Sequence, residues 1–502
     1  MDEEVCMFEE NKAAWLKKAE ALKPILNRSV VSPIGGMPDH ALSEGESVVL
    51  NFGAHFVGYV SLRLSFEGSH PDAPAWLRFK FCESPRELEE TPDQYHGWIS
   101  RSWIQQEEAH ADVLPCELRL PRRYAFRYVR IEVLGLSAKY RLVLEDAHAE
   151  TVTSADDGAV LPLQGEDWER DIDRTALATL RSCMQDVFED GPKRDRRLWL
   201  GDLHLQALTD SVTYRRFDLE KRCLYLFAAA ADESGRIPAC LFTEPRVEGD
   251  DTFMFDYSLL FIPTLLHYAR ASGDEVTMRD LLPLALHQLA LAEEQFDPET
   301  NLIRDCDRMG WCFVDWNLQL NKQTCAQSIW ICCAEAALCM RDDPALRLRI
   351  AQRKAAMTAN WYDKGRRLFV SGSTRQVSMA SQIWAVLAGA VEGAEAAACL
   401  DAAAACPEAL GIVTPYMMHY YVLALCRVGR REQALDVLRG YWGAMVRLGA
   451  DTFWELFNPA DPDESPYGSP IVNSYCHAWS CTPSWFLRSG ILQDNGQGGT
   501  NK

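Results

Sequence analysis

The rhythm of apolar and polar residues changes twice along this chain. Phe8, Trp15 and Leu22 share one face of a helix over about Phe8 to Lys23, with Lys17 and Lys18 turned away, and Pro24 ends it. Pro33, Gly35, Gly36 and Pro38 mark a loop. From Ser47 to Val152 the period is two. The alternation runs through Ser47 to Leu64, Trp76 to Phe81, Tyr128 to Val133 and Tyr140 to Leu144. Short alternating strands between Gly, Pro and Asp clusters predict a β-sandwich, with the turn-rich stretch from Glu83 to Ala109 as a loop region within it.

From Asp167 to Leu492 helix-length apolar patterns take over. Helices are expected over Ile172–Phe188, His204–Tyr214, Leu219–Ala231, Tyr257–Ala271, Val276–Phe296 and Cys325–Arg341. Six more follow at Pro344–Trp361, Ala380–Leu387, Ala394–Ala405, Pro415–Val428, Arg431–Leu448 and His477–Leu487. About a dozen helices joined by short loops can close as two concentric rings, an (α/α)6 barrel with its site at one end. No strict repeat is present, which works against a linear solenoid. The chain therefore divides into an N-terminal helix and linker (1–45), a β-sandwich (46–155), the barrel (160–492) and a polar, Gly-rich flexible tail (493–502). The fold class is multidomain and mainly α.

Composition adds mostly exclusions. Of the 502 residues 48% are hydrophobic and 25% charged, an ordinary globular balance. The net charge of −21 works against nucleic acid and anionic membranes as partners. No apolar run is long enough to span a bilayer, and the Met-Asp-Glu-Glu start lacks the regions of a signal peptide. The 17 cysteines are scattered, several in apolar helical context (Cys332, Cys333, Cys339, Cys399), which fits reduced thiols in a cytoplasm. Cys-x-x-Cys pairs do not recur and His-x-x-x-His is absent, so no metal or cofactor is expected; calcium on carboxylates and carbonyls stays open. Gly-rich phosphate loops and dinucleotide fingerprints are absent too.

Candidate chemistry sits in five loops between the expected helices. The first is Asp190 to Asp202, where Gly191 and Pro192 break the helix so that the charges fall on a loop. It brings Asp190, Arg194, Asp195, Trp199 and Asp202 together. The others are Glu248 to Tyr257 with Asp256, Arg308 to Trp316 with Trp311, Asp315 and Trp316, Asp451 to Phe457 with Trp454 and Glu455, and Tyr475 to Trp479 with His477. Carboxylates can hold hydroxyls and move protons, and indoles can cover the apolar face of a sugar. Glycosidic cleavage takes two carboxyl groups, one protonating the leaving oxygen and the other activating water or attacking the sugar. An acid of the first loop and Glu455 are the best-separated pair. Taken singly, each tryptophan reads as core and Glu455 as a helix-start acid. Asp256 reads as a cap for the following helix. A nucleophile–histidine pair between Ser480, Cys476 or Cys481 and His477 lacks a nucleophile elbow.

These segments resemble bacterial α-L-rhamnosidases of glycoside hydrolase family 78. Asp190-Gly191-Pro192-Lys193-Arg194-Asp195-Arg196-Arg197 with Trp199 and Gly201-Asp202 is similar to the family signature. Thr452-Phe453-Trp454-Glu455 resembles the segment that carries the general base, and Ser474 to His477 with Trp479 the late histidine segment. Asn51-Phe52-Gly53, Phe56 to Tyr59 and Phe126 to Val129 are similar to the β-sandwich ahead of the family's barrel. The resemblance covers about Ser47 to Leu492. It implies an (α/α)6 barrel of the six-hairpin glycosidase type and an inverting mechanism. It further implies that Asp190, Arg194, Trp199 and Asp202 bind rhamnose, that the general acid comes from the first loop, that Glu455 activates water, and that His477 and Trp316 line the pocket. Many members carry a glutamate as the acid; here Asp195 best fills that slot and reaches about 1.5 Å less far, roughly one carbon–carbon bond.

The expected function is therefore cleavage of terminal α-L-rhamnosyl or related residues from an oligosaccharide or glycoside, with Asp195 as acid and Glu455 as base. Asp256, Asp315, Trp454 and Trp479 are further expected sugar contacts. The alternatives are a non-catalytic carbohydrate-binding homologue and an inverting sugar phosphorylase. The oligomeric state stays open.

Overall fold

The computed structural model describes residues 3–306 and 310–493, with side chains from residue 8. Arg308 and Met309 of the third candidate loop, and the tail after 493, lie outside the described residues.

Helix α1 (Glu3–Ala21) does not lead into the sheet that follows it in sequence. Its Phe8, Trp15 and Ala19 are buried in the core of the helical body, where α1 packs on α4 (Phe217–Ala229). The first two of these apolar residues are the ones whose helical spacing predicted the face. The stretch read as linker contains a strand, β1 (Asn27–Val31), so the sheet begins earlier than expected. Four of its five residues are exposed, which erases the alternation that betrays a strand.

The sheet continues with β2 (Ser47–Gly68), β3 (Ala75–Cys82), β4 (Gln106–Ala111), β5 (Cys116–Arg119), β6 (Tyr124–Gly135) and β7 (Tyr140–Thr153). All pairs are antiparallel, in the order β1-β7-β2-β6-β3-β4, with β5 also on β2. The sequence predicts two facing sheets; the seven strands are hydrogen-bonded as one. The long β2 explains this, because it pairs with β6 through its first half and with β7 and β5 through its second. Leu50, Phe52, Val60, Leu62, Phe79, Phe126, Val129 and Leu142 fill a core separate from that of the helices.

The helical body runs α2 (Asp167–Cys183), the short strand β8 (Leu198–Trp199), α3 (Leu200–Ser211), α4, the strands β9 (Cys240–Phe242) and β10 (Glu248–Gly249), α5 (Phe255–Ser272) and α6 (Glu275–Ala292). Then come α7 (Gln323–Met340), α8 (Pro344–Trp361), a small hairpin of β11 (Tyr362–Asp363) and β12 (Leu368–Phe369), α9 (Met379–Leu387) and α10 (Gly393–Ala404). The last are α11 (Pro415–Arg427), α12 (Arg431–Val437), α13 (Gly443–Arg447) and α14 (Pro483–Arg488). Local signals set several ends. Asp343 accepts the backbone N–H of Ala345 and Leu346 ahead of Pro344, and Thr414 accepts that of Met417 ahead of Pro415. The expected helix over Arg431–Leu448 is split by a wider-wound turn at Leu438–Trp442. The one expected at His477–Leu487 is a single turn at Ala478–Ser480 followed by α14, because Pro483 cannot continue a helix begun before it.

Alternate helices touch in sequence: α3 packs on α5, α5 on α7, α7 on α9 and α9 on α11. The Ala478–Ser480 turn contacts both α11 and α3 and so returns to the start. Helices of this inner set are buried nearly all round, as Thr324 to Ile331 in α7 shows, whereas α8 and α10 bury one stripe and α12 buries Ala434. The loops after α2 and after α13 meet the sheet domain, and the loop before α7 packs on the one after α13 through Phe313 and Trp316.

Candidate active site

The first candidate loop closes on itself. The backbone N–H of Asp190 donates to the Arg197 carbonyl (3.0 Å), and Asp190 Oδ1 accepts the Arg197 N–H (3.0 Å). A Cβ on Gly191 would sit 2.5 Å from the Arg194 carbonyl oxygen and 3.0 Å from Ser474 Oγ, so this tight turn admits only glycine. Strand β8 pairs with β9, which fixes Trp199 at the entry to α3.

Glu455 lies opposite this loop. Its N–H donates to the Ser474 carbonyl (3.0 Å), and Trp479 Nε1 donates to the Glu455 carbonyl (2.9 Å), so the two late segments are stitched together. Its carboxylate takes Arg194 on Oε2 and the Tyr467 hydroxyl on Oε1. The Arg194 guanidinium also lies over the Tyr467 ring, 4.1 Å from its centroid. Burial raises the Glu455 pKa above the ordinary carboxylate value, with Arg194 and the Tyr467 hydroxyl opposing it.

His477 sits between two carboxyl groups, with Nε2 3.9 Å from Asp190 Oδ2 and Nδ1 3.6 Å from Asp202 Oδ1. Burial, then Arg194, push its pKa well below the ordinary value, so the ring is neutral. Asp190 and Asp202 are both pushed well up, by burial first and then by neighbouring acids: Asp195 and Asp202 act on Asp190, and Glu455 on Asp202. Asp195 is half-buried and is an electrostatic neighbour of Asp190, Asp202, Arg194 and Glu455.

Aromatic rings wall the cluster. His477 packs on Trp479 (4.1 Å between centroids), Trp479 stacks on Phe313 (5.5 Å), and Phe313 meets Trp316 edge-on (5.4 Å). Trp316 in turn meets Tyr467 edge-on (6.1 Å), and Trp199 meets Tyr257 (6.2 Å). Among the buried polar atoms here that lack a hydrogen-bond partner are Asp202 Oδ1, His477 Nδ1, Arg194 Nε, Trp199 Nε1 and Trp316 Nε1. Folded proteins rarely leave such groups unpaired, and together they present donors and acceptors suited to sugar hydroxyls.

Three of the sequence-derived residues take other places. Asp256 accepts the backbone N–H of Phe313 and Val314 at 3.0 Å, with both oxygens in use. Asp315 accepts from Val413 N (2.9 Å), Thr414 N (3.0 Å), Thr414 Oγ1 (2.7 Å) and Trp316 N (3.0 Å), and burial raises its pKa to about 6. Both carboxylates thus anchor the Trp311–Trp316 loop. Trp454 points away from the cluster, under Arg86 and against Tyr475 and Phe457, because successive side chains of an extended segment alternate sides.

The sequence reading missed Tyr467 and every contribution from the sheet domain. Tyr467 lies in Ser-Pro-Tyr-Gly-Ser-Pro, a turn-rich run around an aromatic residue that was the available signal. From the sheet side, Glu87 pairs with Lys193, Gln105 accepts from Arg196 (3.2 Å), Arg123 holds Glu189 (2.8 Å), and Glu83 accepts the Tyr475 N–H (2.8 Å). Such long-range pairs leave no periodic trace.

Comparison with known proteins identifies the family. Residues 17–151 match the family described as glycosyl hydrolase family 78 alpha-rhamnosidase N-terminal domain, and residues 167–491 match the bacterial alpha-L-rhamnosidase 6 hairpin glycosidase domain. No curated protein matches the chain. Among solved structures it is similar to a rhamnosidase from Klebsiella oxytoca with rhamnose bound, at 44% identity and a TM-score of 0.93, covering 95% of this chain and 98% of that one. It shares its fold with the family 78 rhamnosidase of Bacillus sp. GL1, at 23% identity and a TM-score of 0.73, over 88% of this chain and 46% of that one. The Streptomyces avermitilis α-L-rhamnosidase complexed with L-rhamnose also shares it, at 15% identity and a TM-score of 0.62, over 93% and 44% of the two chains. With one family domain covering most of the helical body and another the sheet, the chain belongs to the α-L-rhamnosidases of glycoside hydrolase family 78.

Proposed function

We propose that this protein hydrolyses terminal α-L-rhamnosides with inversion at the anomeric carbon, in an (α/α)6 barrel whose inner ring is α3, α5, α7, α9, α11 and the last segment, from the Ala478–Ser480 turn through α14. The observation that carries the reading is the Glu455 carboxylate, gripped by Arg194 and Tyr467 in a cluster with unpaired buried polar atoms of Trp199, Asp202, Trp316 and His477. In this mechanism ionised Glu455 takes a proton from water as the water oxygen bonds to C1. The bond from C1 to the glycosidic oxygen breaks, and Asp195 gives its proton to that oxygen. Arg194 opposes the rise that burial imposes on the Glu455 pKa and so favours its ionised form. Asp190, Asp202 and His477 hold the sugar hydroxyls, with Trp199, Trp316 and Trp479 around the ring. A carboxyl group whose pKa is raised, like those of Asp190 and Asp202, can keep a proton and donate as well as accept. Asp256 and Asp315 act one step back, by holding the Trp316 loop, and Trp454 supports the sheet boundary. Buried and partly buried unpaired cysteines such as Cys183, Cys333 and Cys476 support a reducing compartment.

The test is turnover of an aryl α-L-rhamnoside in phosphate-free buffer, with the anomer of the first product read by NMR. Inversion gives β-L-rhamnose first. Asp195→Asn and Glu455→Gln should each lower kcat by about 10²- to 10⁴-fold with the fold intact. Near-full activity in Glu455→Gln, retention of configuration, or dependence on added phosphate would each sink the assignment.

A further inference from the structure

Trp98 is the large aromatic side chain in this region that folding alone does not account for. It is 67% exposed, yet its ring is held. Its Nε1 donates to the Pro466 carbonyl (2.8 Å), and its ring packs on Tyr467 at 5.5 Å between centroids. The preceding residue is pinned as well: a Cβ on Gly97 would lie 1.8 Å from the Tyr467 carbonyl oxygen, so this close approach of the two backbones requires glycine. Tyr95 adds a hydroxyl hydrogen bond to the same carbonyl (3.2 Å), and Ile104, Ile471 and Val472 pack beneath. An indole that is fixed by its edge and its neighbours leaves one apolar face to water without gain to the fold.

The position of that face identifies what it is for. Tyr467 is the ring whose hydroxyl donates to Glu455, and Arg194, which covers Tyr467, is the residue before Asp195. Trp98 therefore continues an aromatic run that starts at the buried His477 and passes through Trp479, Phe313, Trp316 and Tyr467. The inner rings belong to the helical body; the outermost is contributed by the sheet domain, between β3 and β4. Buried Tyr467 stands between exposed Trp98 on one side and Glu455 and Trp316 on the other, so Trp98 lies on the solvent side of the cluster.

We propose that Trp98 is an aglycone platform: its exposed face stacks on a ring-bearing leaving group as that group emerges from the pocket. This rests on the rhamnosidase reading above and deepens it. The class of ligand is a flat ring with an apolar face, whether an aryl group or the C–H face of a pyranose. A small alkyl aglycone cannot reach across Tyr467 to it.

The experiment compares wild type, Trp98→Ala and Trp98→Phe on methyl α-L-rhamnoside, 4-nitrophenyl α-L-rhamnoside and an α-L-rhamnosyl-glucose disaccharide, with thermal unfolding as the fold control. The ratio of kcat/KM for the aryl substrate over that for the methyl substrate should fall about three- to ten-fold in Trp98→Ala and hold in Trp98→Phe. A parallel fall for the disaccharide identifies pyranose rings as occupants; a fall for the aryl substrate alone identifies aryl groups. Equal losses on all three substrates, or no change in the ratios, would overturn the platform. If the wild type turned over no rhamnoside, the proposed function would fail by itself. Calorimetry would then decide on Trp98: weaker binding of the aryl rhamnoside than of L-rhamnose in Trp98→Ala relative to wild type supports it, and unchanged relative binding overturns it.

Discussion

Lys193 and Glu87 form an ion pair across the boundary between helices and sheet, with side chains only 1% and 2% exposed. The Lys193 ammonium also donates to the carbonyls of Ile471 (3.0 Å) and Asn473 (2.8 Å). One cation thus ties together the loop of Arg194 and Asp195, the segment ahead of His477, and the turn that follows β3. The Asn473 carbonyl is one residue from Ser474, which accepts the Glu455 N–H. The segments that carry the proposed acid and base are linked through this lysine to the sheet domain.

Removing one partner of such a pair leaves the other charge buried without compensation, at a cost of about 3–5 kcal/mol. Lys193→Ala should lower the unfolding free energy by that amount in urea. Lys193→Met combined with Glu87→Gln should recover most of it, since no lone charge remains. Activity and sheet structure should also disappear in one transition, because the pair couples the two bodies. A Lys193→Ala protein as stable as wild type would show that the pair carries no such coupling.

The Tyr467 hydroxyl gives the second prediction. It donates to Glu455 and helps hold that carboxyl group down against burial. Tyr467→Phe keeps the ring against Arg194, Trp316 and Trp98 and removes only the donor. The Glu455 pKa must then rise, and a base is active only when ionised, so the acidic limb of kcat/KM against pH should move to higher pH. On that limb the loss should be about ten-fold or more, from one charge-assisted hydrogen bond, and it should shrink toward the alkaline side. A uniform loss at every pH would mean that Tyr467 positions Glu455 without tuning it.

Much of this arrangement was legible in the sequence, for physical reasons that also mark where legibility stops. Helices such as Pro344–Trp361 announce themselves through a cap, a proline and an apolar stripe, all local, and the structure has α8 at the same bounds. The loop from Asp190 to Asp202 stood out because charge, Gly191 and Pro192 interrupt a helical pattern. What could not be read is direction. Trp454 and Glu455 are adjacent, yet one faces the sheet and the other the pocket. Asp256 and Asp315 look like ligand-binding acids in sequence, but their oxygens are engaged by backbone N–H groups up to about a hundred residues away. Tyr467 lacked any periodic context, since its partners Glu455, Arg194 and Trp98 come from three separate segments.

Asp210 lies at the buried C-terminal end of α3, outside the sugar pocket, and its carboxyl group faces Glu220 of α4. Burial first, and then Glu220, push its pKa well above the ordinary value, while Arg216 opposes the rise. The folded pKa thus exceeds the unfolded one, so the folded state holds the proton more tightly. The stability this supplies is complete below the unfolded pKa and is lost as pH rises through the folded value, by about 1.4 kcal/mol per pH unit. Asn has no proton to lose and resembles the neutral acid in shape. Asp210→Asn should therefore gain stability over wild type as pH rises, with a larger difference in Tm at pH 8 than at pH 5 and unchanged kcat. Thermal unfolding of both proteins across that range measures it. A difference in Tm that stays constant with pH would mean that Asp210 is ionised in the folded protein throughout.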